Sequence, residues 1–507
     1  MKVALVNPPT VASVTTFAEE AVPPLGLAYV AAAVTAAGYV LTVVDAVGEA
    51  LSSYRIHSRE NRSLVRGLTA PAICARIPAD TRVIGVSCMF SNAWVPTRGL
   101  LFALRAAFPR AVFVVGGEHA TACAELVLAT SPVDACVLGE GEITFVELLR
   151  AVEEGAPLAD LPGVAPRSAA PSALRPIRRK RAPLPTIAEP AWDLFPIERY
   201  IAGGHNHGVV RGRTMPILAS RGCPYQCTFC SSPAMWTTKW AARAPEDVVA
   251  EMRRYVDRYR ANDFAFYDLT TIIRRDWIVA FCRLLVLSGL EVTWQLPSGT
   301  RSEAIDAEVA ELLHRSGCRN LNYAPESGSP AVLRRIKKRV ALPRMLGSMR
   351  DAVGAGLAVK TNIILGFPGE TLAEVGETYR FIAQVAALGV EAVSIFPFCP
   401  YPGSELFEQL RREGRVELSD AYFDGLVYTD LASLSSYDEH LGTTALKALV
   451  LGGNAVFFAV QLGTHPRRVL ELVRQLVGGE GSAKLASVVL PVRRRRAAFR
   501  ELLAGIS

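Results

Sequence analysis

Three cysteines within eight residues constrain this chain more than any other feature: Cys223, Cys227 and Cys230 stand at C-x3-C-x2-C spacing, directly after the apolar run 215–220. Thiolates so close together can hold a metal. An iron–sulfur cubane is usually held by four thiolates. Here no fourth cysteine lies nearby before Cys282, so one iron would be left open. A tetrahedral structural zinc wants a fourth protein ligand at a similar distance, and His205 and His207 lie upstream and off zinc-finger spacing. A disulfide fits less well, because clustered cysteines in a large chain without a secretory signal read as metal-binding or catalytic. Gly222 and Pro224 punctuate a turn, which argues against three small hydrophobes simply packed in a core.

At 507 residues the chain exceeds one ordinary domain, and a prior of roughly 150 residues per domain gives two to four. The N-terminus Met1-Lys2-Val3-Ala4-Leu5-Val6 lacks the long uncharged stretch of a signal peptide. Ten scattered cysteines fit a reducing compartment, so a cytoplasmic location is expected. The net charge of +7 is local: residues 441–507 hold ten Lys/Arg against three acids, and the remainder balances at 45 against 45. A nucleic-acid-binding surface would spread its basic excess across the fold, so none is expected.

Up to residue 154, short β-rich runs at 3–7, 41–45, 83–88, 112–115 and 135–138 alternate with helix-length segments. That pattern predicts a doubly wound parallel sheet. Such sheets bind ligands outside the carboxyl ends of their strands. Here those ends are Asn7-Pro8-Pro9, Asp45, Ser87, Gly116-Gly117-Glu118-His119 and Gly139-Glu140-Gly141-Glu142. Residues 155–199 carry nine prolines and, at 178–181, the run Arg-Arg-Lys-Arg, which reads as an extended linker; Trp192 and Phe195 are expected to pack back onto a domain. Six strand-then-helix units follow within 200–410, with strands at 215–220, 263–268, 291–296, 320–324, 358–365 and 390–396. If these close as a barrel, the chemistry sits where the strands end: the cysteines after the first, Asp268 and Thr270 at the second, Arg301 past the third, Glu326 and Ser327 at the fourth, Gly366 and Pro368 at the fifth.

The cysteine triad with aromatic Phe229 before its last member resembles the signature of the radical SAM enzymes. Asn7-Pro8-Pro9, Pro24-Leu25-Gly26-Leu27, the loop 116–121 and Gly139-Glu140-Gly141-Glu142 together resemble the cobalamin-binding domain that precedes the radical SAM core in one large subfamily. The resemblance covers residues 1 to about 410. It implies a partial (β/α)6 barrel behind the doubly wound domain, with Cys223, Cys227 and Cys230 holding a 4Fe-4S cluster whose open iron chelates S-adenosylmethionine. Phe229, Asp268, Arg301, Glu326, Ser327, Gly366 and Pro368 would line the S-adenosylmethionine site, and Asn7, Ser87, Gly116, Gly117, Glu140 and Gly141 the cobalamin site. Many cobalamin domains carry Asp-x-His-x-x-Gly, which is absent here, so no histidine of that motif would ligate cobalt; His119 is read as a hydrogen-bonding residue of its loop. Glu326 equally fits a cap for the helix that follows. Arg301 and Lys360 suit the methionine carboxylate, with a surface ion pair as the default for both. Cys282, Cys318 and Cys399 read as structural.

The implied activity is methylation of an unactivated carbon of a small molecule, lipid-like or another natural product, with an electron donor such as flavodoxin or ferredoxin. In the implied chemistry, reductive cleavage of S-adenosylmethionine gives a 5′-deoxyadenosyl radical that abstracts hydrogen, and methylcobalamin supplies the methyl group. One alternative is oxidative cyclisation or rearrangement, as in the anaerobic magnesium-protoporphyrin ester cyclase group; another is a non-catalytic corrinoid or iron–sulfur sensor. Residues 411–507 are expected to be mainly helical. The apolar stretch 446–463 reads as a buried helix pair around Gly452-Gly453, and the arginines beyond it permit a peripheral contact with the inner membrane.

Overall fold

The computed structural model describes residues 1–14, 21–58, 63–168, 184–300, 302–427, 431, 434–467 and 495–504. Its first sheet takes β1 (Lys2–Asn7), β2 (Val40–Asp45), β3 (Val83–Ser87), β4 (Val112–Gly116), β5 (Ala135–Val137) and β6 (Val164–Pro166) in the order β2-β1-β3-β4-β5-β6. The first five are parallel. Parallel strands covered on both faces need unbroken apolar runs, and Val3, Ala4, Leu5 and Val6 are all buried. The chain leaves β1 for β2 on one side and later returns to β3 on the other, so a crevice opens at the carboxyl end of β1. Strand β6 joins antiparallel at the edge, inside the stretch expected to be a plain linker. Pro166 is tolerated there because an edge strand can spare an N–H.

The second sheet runs β7 (Thr214–Ile217), β8 (Asp263–Phe266), β9 (Thr293–Thr300), β10 (Cys318–Glu326), β11 (Ala358–Leu365) and β12 (Ala392–Pro397), all parallel and in sequential order. Register shifts between Leu296 and Gly299 and between Tyr323 and Glu326 fall toward the carboxyl ends of β9 and β10, where bulges re-aim side chains. Strand β11 shows the two faces clearly. Val359, Thr361, Ile363 and Leu365 are buried under helices, whereas Lys360 is exposed and Asn362 and Ile364 are half-buried. The inner face is therefore less completely covered than the outer one.

A small antiparallel sheet, Thr10–Ser13, Ser63–Arg66 and Tyr54–Ser58, was not anticipated, because its strands are short and two of them polar. The two main sheets also share their cores. One apolar cluster joins Leu5, Tyr29 and Phe145 to Met215, Phe264 and Leu365; the other joins Trp94 and Phe113 to Phe398, Phe407 and Phe423. Trp192 and Phe195 are buried in the first of these, as expected, and the Trp192 indole donates to Tyr255 Oη at 3.1 Å.

The apolar stretch near the C-terminus is one continuous helix, Thr443–Thr464, not the expected pair. The two glycines do not break it; they let it approach its neighbours. A Cβ at Gly452 would stand 2.8 Å from Tyr379 Oη, and one at Gly453 would stand 2.6 Å from Ile395 Cδ1. Tyr379 Oη donates to the Leu449 carbonyl at 2.5 Å, and Gln461 Nε2 to that of Val390 at 2.5 Å. The helix is long and apolar enough to cross a membrane by length and composition, yet one face is docked on the second sheet. Phe457 is 1% exposed and Phe458 46%. Docking predicts that Phe457→Ala destabilises the apoprotein by about 3–4 kcal/mol and Phe458→Ala by less than about 1 kcal/mol, checked by urea unfolding. Equal effects would mean that the helix is not packed on the sheet.

Candidate functional site

Strand β7 delivers the cysteine loop. Asp268, just beyond β8, accepts the Ala219 N–H at 3.1 Å and the Ser220 hydroxyl at 2.5 Å, and burial pushes its carboxyl up to about 6. Both of its oxygens are thus spent on the residues that lead into Gly222 and Cys223, which makes it a support of the loop. On the far side, Thr228 donates its N–H to the Ile336 carbonyl at 3.0 Å and accepts that of Leu406 at 2.8 Å. The loop is tied down at both ends while its three cysteines stay half-buried.

Next to Cys223 lies a buried charged contact between the two domains. Arg221 reaches from the cysteine loop to Glu142 at 2.6 Å and Glu140 at 3.3 Å, all three side chains being less than 10% exposed. Its guanidinium also lies 5.0 Å from the Tyr29 ring centroid and 5.9 Å from that of Trp236. After Cys230, the Ser231 hydroxyl bonds Glu118, the first residue of the helix following β4. The first domain thus grips the cysteine loop from both sides.

Between the sheets is a cleft whose empty space, open mouth included, is about 1640 Å³. Asn7, Ser87, Gly116, Gly117, Glu140 and Gly141 all line it, and Leu218, Arg221, Trp236 and Tyr267 close it from the other side. Gly117 has φ +117, and a Cβ there would stand 2.5 Å from the Cys88 carbonyl oxygen, so only glycine lets the β3 and β4 loops pack together at the cleft. Asn7 Nδ2 donates to Asp45 Oδ1 at 2.7 Å. No histidine lines the cleft among the described residues. His119 is buried, packed against Trp94 and Phe423, with Nδ1 2.9 Å from Ser91 Oγ. Burial lowers its pKa to about 3; it hydrogen-bonds as expected, but from the helix Glu118–Ala122 and not from a loop.

A third group gathers beside the cysteines. Phe229 packs on Phe367 at 5.5 Å between centroids, between Gly366 and Pro368. Glu326 holds φ +69, an unfavourable conformation for a carboxylate residue and one found mostly at functional sites. Its side chain pairs with Lys338 Nζ at 2.8 Å and does not cap the helix Pro330–Arg335. Ser327 is fully buried, 3.1 Å from Thr378 Oγ1, and its side chain shapes the turn. Arg301 lies outside the described residues. Lys360 makes no ion pair among the described residues, contrary to the expectation of a surface pair.

The residues fit the groups the sequence implied. Among the described residues no three His, Cys, Asp or Glu converge as the shell of one ion. A cubane does not require that, since each thiolate binds a different iron. Burial and its two neighbouring cysteines push the Cys230 thiol up to about 12, a position where iron would be needed to hold a thiolate. The cleft offers glycine-lined backbone at the carboxyl ends of β4 and β5, beside the ends of β1 and β3, which suits a large flat cofactor.

Fold and site define a two-domain α/β protein with a cluster loop facing a cofactor cleft. The match to the radical SAM superfamily spans residues 217–382, and that to the B12 binding domain spans residues 13–149. The chain thus carries a B12-binding domain followed by a radical SAM domain. It is 28% identical over 410 residues to an uncharacterized methyltransferase of Pyrococcus horikoshii, covering 80% of this chain and 83% of that one. It is 26% identical over 405 residues to the anaerobic magnesium-protoporphyrin IX monomethyl ester cyclase of Rubrivivax gelatinosus, covering 78% and 68%. The solved structure of the radical S-adenosylmethionine methyltransferase TsrM from Kitasatospora setae, with cobalamin and a 4Fe-4S cluster bound, has the same fold: TM-score 0.63, 16% identity, 90% of each chain. The cofactors are a 4Fe-4S cluster, S-adenosylmethionine and cobalamin.

Arg221, Glu142, Tyr29, Trp236 and Glu118 were not singled out from the sequence, although Arg221 abuts the cysteine motif and Glu142 ends the Gly-Glu-Gly-Glu loop. Removing one partner of a buried ion pair leaves an uncompensated charge. Arg221→Met should therefore lower stability by about 3–5 kcal/mol and reduce the cobalamin retained on purification. Adding Glu140→Gln and Glu142→Gln should restore part of the stability. Thermal melts of the wild type, Arg221→Met, the Glu140→Gln/Glu142→Gln pair and the triple variant check this, and strictly additive losses would show that the three side chains do not act as a unit.

Proposed function

We propose that this enzyme methylates an unactivated carbon of a small molecule, and that the observation carrying this is the shared cleft. The residues expected to bind cobalamin and Arg221, two positions before Cys223, line the same space. In this reading residues 1–154 are the cobalamin domain, a doubly wound sheet supported by the strand order around β1. Residues 155–199 form the linker, 200–410 a partial (β/α)6 barrel supported by the sequential order of β7 to β12, and 411–507 a mainly helical region.

When bound, the cluster with S-adenosylmethionine would supply an organic radical able to remove hydrogen from carbon, and cobalamin would supply the methyl group. Cys223, Cys227 and Cys230 hold the cluster, while Asp268 and Arg221 fix the loop that carries them. Phe229, Gly366 and Pro368 form an apolar wall for the adenine, with Glu326 and Lys338 at its edge. The cleft walls at Asn7, Ser87, Gly116, Gly117, Glu140 and Gly141 orient the corrinoid and exclude water. Electrons come from a donor such as flavodoxin or ferredoxin. The enzyme works in the cytoplasm, and the exposed face of the helix Thr443–Thr464, with Leu451, Phe458 and Leu462, supports a peripheral membrane contact.

Ring closure is the second reading, favoured by the likeness to the ester cyclase. The two separate by label. A strain carrying this chain and its deletion mutant are grown on methionine labelled with 13C in its methyl group. Methylation predicts a metabolite absent from the mutant and heavier than its precursor by one labelled methyl. A missing metabolite that differs by oxidation or ring closure, without label, would establish the second reading instead.

A further inference from the structure

The turn that ends β11 is held by a segment far along the chain. Between Gly366 and Glu370 there are four backbone N–H groups, Pro368 having none, and each of the four is accepted by a carboxylate. Glu370 Oε2 takes those of Gly366 at 2.6 Å and Phe367 at 3.3 Å. Glu439 Oε2 takes that of Gly369 at 2.8 Å. Asp438 Oδ2 takes that of Glu370 at 2.8 Å, shared with the Phe367 carbonyl at 2.9 Å. Phe367 and Glu370 are fully buried. The first acceptor belongs to the turn itself. The other two lie 70 and 68 positions beyond their donors, outside the residues 217–382 matched to the radical SAM superfamily.

The two distant carboxylates are themselves fixed. Asp438 Oδ1 accepts the N–H of His440 at 2.7 Å and that of Leu441 at 2.6 Å, so its two oxygens tie its own loop to the turn. Arg415 bonds both Glu439 and the Tyr437 carbonyl. Leu446, near the start of the helix Thr443–Thr464, lies against Gly366: a Cβ there would stand 2.7 Å from Leu446 Cδ2, and Gly366 has φ +83. Tyr437 meets Phe398 edge-on at 6.5 Å, Phe398 packs on Phe367 at 5.3 Å, and Phe367 packs on Phe229 at 5.5 Å. Residues 436–446 thus reach the turn through two carboxylates and the neighbour of Cys230 through a row of rings.

A turn that only reversed the chain could leave such groups to water, and Gly369 has open space where a side chain would stand. Hydrogen bonds to a carboxylate are roughly twice as strong as neutral ones, and here they set the conformation of five consecutive residues. We propose that Asp438 and Glu439 are positioning residues for S-adenosylmethionine. They hold the turn Gly366–Glu370 in the shape that receives the adenine, so residues 436–446 are part of the cofactor site. The proposal rests on the reading that Phe229, Gly366 and Pro368 wall the adenine. It gives the region after the second sheet a duty in cofactor binding.

The test is equilibrium dialysis of tritiated S-adenosylmethionine against the full-length protein, reconstituted with its cluster and loaded with cobalamin. Asp438→Ala and Glu439→Ala should each weaken binding about tenfold, the loss of a hydrogen bond to a charged group, while iron, sulfide and cobalamin contents stay at the wild-type level. Glu439→Gln should largely restore binding, because its amide oxygen still accepts the Gly369 N–H. Asp438→Asn should fall between, since its single oxygen cannot serve Glu370 together with His440 and Leu441. Hydrogen exchange read by mass spectrometry should be faster over 366–370 in the alanine variants than in the wild type. Glu439 is 48% exposed, so its variants keep the test decisive if Asp438→Ala fails to fold. Unchanged binding in either folded alanine variant, or a loss in step with iron and cobalamin, would overturn the proposal. A wild type that holds its cluster yet does not bind S-adenosylmethionine would overturn the adenine reading beneath it; a wild type that binds, with alanine variants that bind equally, would overturn only the role of Asp438 and Glu439.

Discussion

Arg221 is the residue on which the rest of the site depends. It is covalently two residues from Cys223, and its guanidinium is enclosed by Glu140, Glu142, Tyr29 and Trp236. Burying this charge with two carboxylates contributes little net stability by itself, because desolvation offsets most of the attraction. Its effect is on geometry. The two ion pairs form only when the domains are docked as they are, so the cysteine loop and the Gly139–Glu142 loop are held together. The bond between Ser231 and Glu118 repeats the constraint on the other side of the cysteines.

Two apolar clusters make that arrangement permanent. Because each contains side chains from both sheets, neither domain buries its own surface completely. Helices Glu405–Arg412 and Asp420–Asp424 follow the second sheet in sequence but pack their Phe407, Leu410 and Phe423 in the cluster of the first sheet. The cleft between the sheets is therefore a fixed feature of one core.

Much of this was legible in the sequence, for identifiable reasons. Eleven strands of the two sheets appear as apolar runs because parallel sheets are buried on both faces. The six cleft residues were legible because the glycines and polar groups ending those runs must lie at one edge of the sheet. Less legible were features created by contact between distant segments. Nothing local marks Arg221 as the partner of Glu142, since the pair forms only when residues 79 positions apart are brought together. Asp268 was read as a cofactor residue because it ends a strand, and only its bonds to Ala219 and Ser220 reveal a support. Gly452-Gly453 looked like a helix break, whereas the close approach of Tyr379 and Ile395 explains why glycine stands inside a continuous helix.

The central claim is that the cluster loop and the cobalamin cleft form one site. It is tested most directly by the relaxation of cobalt(II) in the enzyme loaded with cobalamin and a reduced cluster, measured by pulsed EPR. The structure predicts that the neighbouring paramagnetic cluster shortens cobalt relaxation markedly, relative to a variant with Cys223, Cys227 and Cys230 all changed to Ala. Identical relaxation in the two proteins, with full cluster and cobalamin occupancy in the wild type, would place the cofactors apart and contradict the account.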